Sequence, residues 1–140
     1  MIGRTPSPRS WSINNLTDVV TARRSGLKLA LTLGFPAPEA TKIAVVISEL
    51  ARNIILYAGT GVVSLIPHVE DGEVYIKVIA QDHGPGIEDI ERVLAGGYTT
   101  SKGLGKGVSG SKRLMDDFEI ESEVGKGTKI TAVKWLRIRR

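Results

Sequence analysis

Residues 62–82, VVSLIPHVEDGEVYIKVIAQD, leave the chain few ways to fold. Val62–Glu70 and Glu73–Gln81 read as two strands, and Asp71-Gly72 between them suits a two-residue hairpin turn. In the second run Val74, Ile76, Val78, Ala80 and Asp82 alternate onto one face, and the first four are apolar. An apolar sheet face must be covered, so this hairpin requires a layer of helices over it.

The remaining sequence supplies that layer. Thr17–Leu33 fits a helix with Asp18 in its first turn and Gly34 as its stop. FPAPEA reads as a connector, because proline does not fit inside a helix. A second helix fits Glu39–Ala58; at 100° per residue, Ile43, Val46, Ile47, Leu50, Ile54 and Tyr57 share one arc of it. IEDIERVLAG and SGSKRLMDDF each suit a short helix, the latter from about Val108. FEIESE and TKITAVKWLRI suit a closing strand pair around EVGKG, and WSI (residues 11–13) a short edge strand. The expectation is an α+β two-layer sandwich: a mixed, mostly antiparallel sheet covered on one face by helices. Residues 1–10 are expected to be flexible and residues 11–140 to form a single domain.

Composition narrows the function classes. A chain of 140 residues hides roughly two-thirds of its unfolded surface and builds a core without staples. It has no cysteine, which removes disulfides and thiolate metal sites and suits a reducing compartment. The start, MIGRTPSPRS, lacks the apolar stretch of a secretory signal. No apolar run approaches the roughly 20 residues of a membrane span. A cytoplasmic protein without a membrane partner is expected. The formal charge of +4 sits partly in the RIRR tail, which reads either as a solvated end or as steering toward an acidic partner or nucleotide. Two Trp, three Tyr and two Phe are too few for a base-stacking platform, so no nucleic-acid partner is expected.

Glu49 and Asn53, four residues apart, stand at the edge of the apolar arc, while Arg52 points away from it. Such groups need partners, since burying them bare costs about 1–3 kcal/mol. Two readings are open. One is a local Glu49–Arg52 ion pair with Asn53 capping a neighbour. The other is an oxygen from Asn53 on Mg²⁺ with Glu49 as a base beside it; Mg²⁺ takes few protein oxygens when phosphates are present.

The second reading needs a nucleotide. Asp82 ends the alternating face, where a carboxylate can accept from the exocyclic amine of adenine. Gly84 and Gly86 follow and let a planar base approach the backbone, although DHGPG is also good turn chemistry by itself. Residues 96–110, GGYTTSKGLGKGVSG, hold six of the sixteen glycines. Gly103-Leu104-Gly105-Lys106-Gly107 reads either as a surface loop or as an anion cradle before a helix, with Lys102 and Lys106 adding positive charge. Gly105, Gly107 and Gly110 match G-x-G-x-x-G but follow no buried strand, and no P-loop or eukaryotic-type kinase set occurs.

Glu49-x-x-x-Asn53, Asp82-x-Gly84-x-Gly86, Gly103-x-Gly105-x-Gly107 and Gly127-Thr128 stand in this order across roughly 80 residues. Together they resemble the GHKL ATPase superfamily, whose Bergerat nucleotide fold is shared by histidine kinases, gyrase, Hsp90 and MutL. SELARNIILYAGTG, QDHGPGIEDIERVLAGGYTTSKGLGKGVSGSKRLMDDFEIES and GKGTKITAVKWLR look like the switch serine/threonine kinases of bacterial stressosomes and the related anti-sigma factor kinases. The resemblance runs from about Trp11 nearly to the end.

It implies ATP and Mg²⁺ as cofactors, with Asn53 on the metal and Glu49 as the catalytic base for a substrate hydroxyl. It implies Asp82 on the adenine amine, Gly84 and Gly86 shaping the pocket, and Thr128 near adenine directly or through water. Residues from about Gly96 to Lys106 would form a lid. Thr100, Ser101, Lys102, Gly103, Leu104, Gly105, Lys106 and Gly107 would lie near the phosphates, Lys106 touching phosphate or solvated. His83 has no assigned role. The implied substrates are Ser or Thr residues of STAS-domain proteins in an RsbS/RsbR-like stressosome scaffold. Release of the kinase would then activate a downstream phosphatase or other output enzyme. The alternative is an ATP-gated module that sequesters a partner, as anti-sigma factors do; Glu49 speaks for catalysis, since a pure binder needs no base. A histidine autokinase is disfavoured, because neither His68 nor His83 lies on a long predicted helix.

Overall fold

The computed structural model describes residues 5–95 and 104–137; the side chains of residues 92, 93 and 104–106 lie outside that description. In chain order come strand β1 (Arg9–Ile13), helices α1 (Leu16–Leu33) and α2 (Ala37–Tyr57), and strands β2 (Gly61–Glu70) and β3 (Glu73–Asp82). Helices α3 (Ile90–Leu94) and α4 (Leu104–Leu114) and strands β4 (Asp117–Glu123) and β5 (Gly127–Trp135) follow.

The central hairpin forms as its residues require. β2 and β3 pair from Gly61↔Asp82 to Glu70↔Glu73. Asp71 and Gly72 turn with φ of 50° and 80°, the paired positive values of a type I′ turn. Val63, Leu65, Val74, Ile76, Val78 and Ala80 are buried on one face. α2 lies over them with Ile43, Val46, Ile47, Leu50 and Ile54 buried, five of the six residues assigned to its apolar arc; Tyr57 is half-buried. Burying a Val, Leu or Ile side chain stabilises by about 1.5–3 kcal/mol, so this seam dominates the core.

The sheet order is β1-β2-β3-β5-β4, and every neighbouring pair is antiparallel. The expected mixed sheet is corrected to this extent, for a topological reason. The β3–β4 connection runs through α3 and α4 and returns β4 parallel to β3, but β5 fills the gap between them.

Boundaries moved where local chemistry outweighed pattern. α1 starts at Leu16, because Asn15 accepts from the Asp18 amide at 3.0 Å while Asp18 reaches back to the Asn14 amide at 2.9 Å. α2 starts at Ala37, inside the expected connector, because Pro38 in a first turn forfeits no intrahelical bond. β1 begins at Arg9 within the segment expected to be flexible. Thr5 there both donates to the Val69 carbonyl (2.9 Å) and accepts from its amide (3.1 Å). No helix among the described residues is long and apolar enough to cross a membrane.

Candidate functional site

Three strands end in one polar rung on the core face. Asp82 pairs with Gly61 on one side and Thr128 on the other, and Thr128 pairs with Ser122. The rung before it, Ala80–Ile130–Ile120, is apolar. A small cleft, open to solvent, lies against this step. Its floor is Ala80 and Ile130, one wall is Leu50, Ile54 and Tyr57 of α2, and the other is Pro85-Gly86-Ile87. Its polar groups are Asn53, Asp82 and Thr128. An apolar cleft with a few convergent polar atoms suits a small heterocyclic ligand.

Asp82 serves the turn and the cleft together. Its Oδ1 accepts from the Gly84 amide at 2.9 Å, and no other described residue donates to its Oδ2. The glycines after it answer first to the protein's own packing. A Cβ on Gly84 would lie 2.7 Å from Ala58 Cβ at the end of α2. One on Gly86 would lie 2.4 Å from the Glu123 carbonyl oxygen. Gly86 lines the cleft, whereas Gly84 acts from behind it by letting α2 close on the turn. Gly127 has φ of 125°, and its Cα faces the Asp82 carbonyl so closely that a Cβ would sit 2.1 Å from the oxygen.

Asn53 lines the cleft; Glu49 stands about one helical turn before it on α2 and is not among the lining residues; both are half-buried, and Arg52 is exposed. Among the described residues no ion pair joins Glu49 to Arg52. The Asn53 Nδ2 is buried and, among the described residues, has no hydrogen-bond partner. Above the pair lies the glycine box. A Cβ on Gly107 would be 2.9 Å from Glu49 Oε2 and 3.8 Å from Asn53 Oδ1. The expected loop ahead of Val108 is corrected here: α4 already begins at Leu104, so Gly105, Lys106 and Gly107 are helical. Glycine is a poor helix former, but here it lets the turn rest on Glu49 and Asn53 without displacing the Glu49 carboxylate. Thr100, Ser101, Lys102 and Gly103 lie outside the described residues.

Sequence reasoning missed two residues. Ser122 accepts from the Ile87 amide (2.7 Å), donates to the Gly127 carbonyl (3.0 Å) and contacts Thr128 Oγ1 (2.8 Å). The alternation Phe118, Ile120, Ser122 would have found it. Lys134 lies on the core face of β5 with only 11% of its side chain exposed. It bonds Glu39 at 3.0 Å and donates to the Leu114 carbonyl, the last of α4, at 2.9 Å. Those two bonds hold α4 by its far end. Lys134 foremost, then Lys42, holds the Glu39 carboxyl below its usual range.

The pattern of the family described as histidine kinase-, DNA gyrase B- and HSP90-like ATPase matches residues 39–138. The chain is 49% identical over 120 residues to the serine/threonine-protein kinase RsbT of Bacillus subtilis, covering 86% of this chain and 90% of that protein. It is 37% identical over 105 residues to an anti-sigma F factor of Geobacillus kaustophilus, covering 70% of each. A solved Mycobacterium tuberculosis structure of RsbU and RsbW domains superposes with a TM-score of 0.63 at 18% identity, over 96% of this chain and 34% of the other.

Proposed function

The chain belongs to the histidine kinase-, DNA gyrase B- and HSP90-like ATPase family, and from that membership we propose that it is an ATP- and Mg²⁺-dependent protein serine/threonine kinase of a bacterial partner-switching module. One observation carries the reading: the buried Asn53 Nδ2, without a hydrogen-bond partner among the described residues, beside Glu49 and under the glycine turn of α4. An unpaired buried polar group costs about 1–3 kcal/mol, so a site that keeps one is built for a group arriving from outside.

A half-turn of the Asn53 amide exchanges Oδ1 for Nδ2, so this side chain fits a cation as well as an anion. Bound there, Mg²⁺ would neutralise phosphate charge. Glu49 accepts the proton of the attacking serine or threonine hydroxyl. Asp82 Oδ2 and Thr128 take the adenine edge over the floor of Ala80 and Ile130, with Gly86 on the wall and Gly84 keeping the wall in place. The first turn of α4, with Leu104, Gly105, Lys106 and Gly107, turns its free amides to the phosphates. The protein substrate supplies its own hydroxyl, so a domain this small suffices: phosphoryl transfer is chiefly positioning and electrostatics.

The relationship to a stressosome-type kinase and to anti-sigma factors supports STAS-domain proteins as substrates, phosphorylated on Ser or Thr, with release toward a downstream phosphatase or other output enzyme. A second reading, ATP-gated sequestration with little turnover, is favoured by the anti-sigma likeness alone. Incubation with γ-labelled ATP, Mg²⁺ and candidate STAS proteins separates the two. Label on a serine or threonine of one of them is expected; ATP-dependent complex formation without label would replace the kinase reading by the sequestering one.

A further inference from the structure

Hydrogen counting at the polar rung fixes the polarity of the cleft. Ser122 has one hydroxyl proton and two lone pairs. The Gly127 carbonyl, 3.0 Å away, has no proton, so the Ser122 proton goes there. The Ile87 amide, 2.7 Å away, can only donate, so it occupies one lone pair. At the remaining contact, 2.8 Å from Thr128 Oγ1, Ser122 must therefore accept, and the proton between them belongs to Thr128. The Thr128 hydroxyl is thereby turned inward, and its oxygen meets the cleft with lone pairs only. Beside it on the next strand, Asp82 Oδ2 is also an acceptor.

We infer that Ser122 is a positioning residue that locks Thr128 as an acceptor, so that Thr128 and Asp82 together select a purine bearing an amine with two N–H groups, and turn away one bearing a carbonyl there. The inference rests on the nucleotide reading of the cleft and deepens it. Adenine offers two donors on a single nitrogen to two acceptors on adjacent strands. A 6-oxo purine sets a third acceptor against them. Ser122 reaches neither ring; it acts through Thr128.

The test compares ATP with inosine triphosphate, which differs at this edge, by titration calorimetry with Mg²⁺. The wild-type protein is expected to prefer ATP by roughly 10–100-fold, the range reached when a buried polar group is left unpaired. In Ser122→Ala the Thr128 hydroxyl is free to rotate and donate, so the ratio falls by about tenfold or more, with inosine triphosphate holding or gaining affinity. Ser122→Thr keeps the hydroxyl and the wild-type ratio. Equal weakening of both nucleotides in Ser122→Ala overturns the inference, because a merely structural serine changes affinity without changing preference. If that variant does not fold, Thr128→Val carries the test: its ratio must fall, and an unmoved ratio overturns the inference. Failure of the wild-type protein to bind either nucleotide would instead overturn the nucleotide reading itself.

Discussion

A methyl group at position 107 would lie 2.9 Å from Glu49 Oε2, at the far end of a flexible side chain. Gly107→Ala therefore sets two effects against each other. Alanine favours the helix by about 1 kcal/mol, so thermal stability is expected to hold or rise. The Glu49 carboxylate must shift by a few tenths of an ångström, and phosphoryl transfer is expected to fall about tenfold. Unchanged transfer would mean that the glycine is not a spacer for the base. Glu49→Ala should retain ATP binding and lose roughly 10²–10⁴-fold in transfer, the range of a general base; full transfer in that variant removes it from the role. Asn53→Ala should weaken Mg²⁺-ATP far more than ATP in EDTA, and matched losses would argue against a metal ligand. Glu49, Asn53 and Asp82 were legible because each breaks an apolar pattern at a definite position. Gly107 was legible as a glycine but not as a helical one, since its helix is set by contacts with α2 that lie far off in the sequence. Thr128 was found by resemblance; Ser122 was open to the alternation Phe118, Ile120, Ser122, although its partners become visible only in the fold.

At the scale of elements, α4 is held at both ends by different means. Its first turn rests on Glu49 and Asn53, and its last carbonyl is bonded by Lys134, which also grips Glu39 in the first turn of α2. Lys134→Met keeps the stem but leaves Glu39 with Lys42 alone and the Leu114 carbonyl without that donor. It should cost about 1–3 kcal/mol in urea unfolding; an unaltered midpoint would show that the clamp is idle. The same cluster sets a pH dependence. Glu39 is held below its ordinary pKa of 4.5 by Lys134 and then Lys42. Its folded value lies below its unfolded one, so the contribution is whole above the unfolded pKa and fades as pH falls through the folded one. The stability gap between wild type and Glu39→Gln should thus be widest near neutral pH and narrow below about pH 4.5; a constant gap would exclude this pairing as its source. None of this was legible beforehand. A lysine on the core face of a strand looks like an interruption, and only the fold brings a carboxylate and a helix end to meet it.

Across the whole molecule, the sheet is two hairpins joined along β3 and β5, with β1 added at one edge. The hairpins themselves were readable, because strand alternation and Asp-Gly turn chemistry are local. Their order was not, because nothing local says which strand of the second hairpin faces the first. That join decides the site. Asp82 comes from one hairpin, Thr128 and Ser122 from the other, and they meet only because β5 lies between β3 and β4. A purine in the cleft would touch both sides. Mg²⁺-ATP at 100 times its dissociation constant should then stabilise the fold by about 2.7 kcal/mol, read as a rise in melting temperature that Asp82→Asn removes. A nucleotide there would act as a rivet: it would fasten the two halves of the polypeptide to each other, more firmly in a cell rich in ATP than in a starved one.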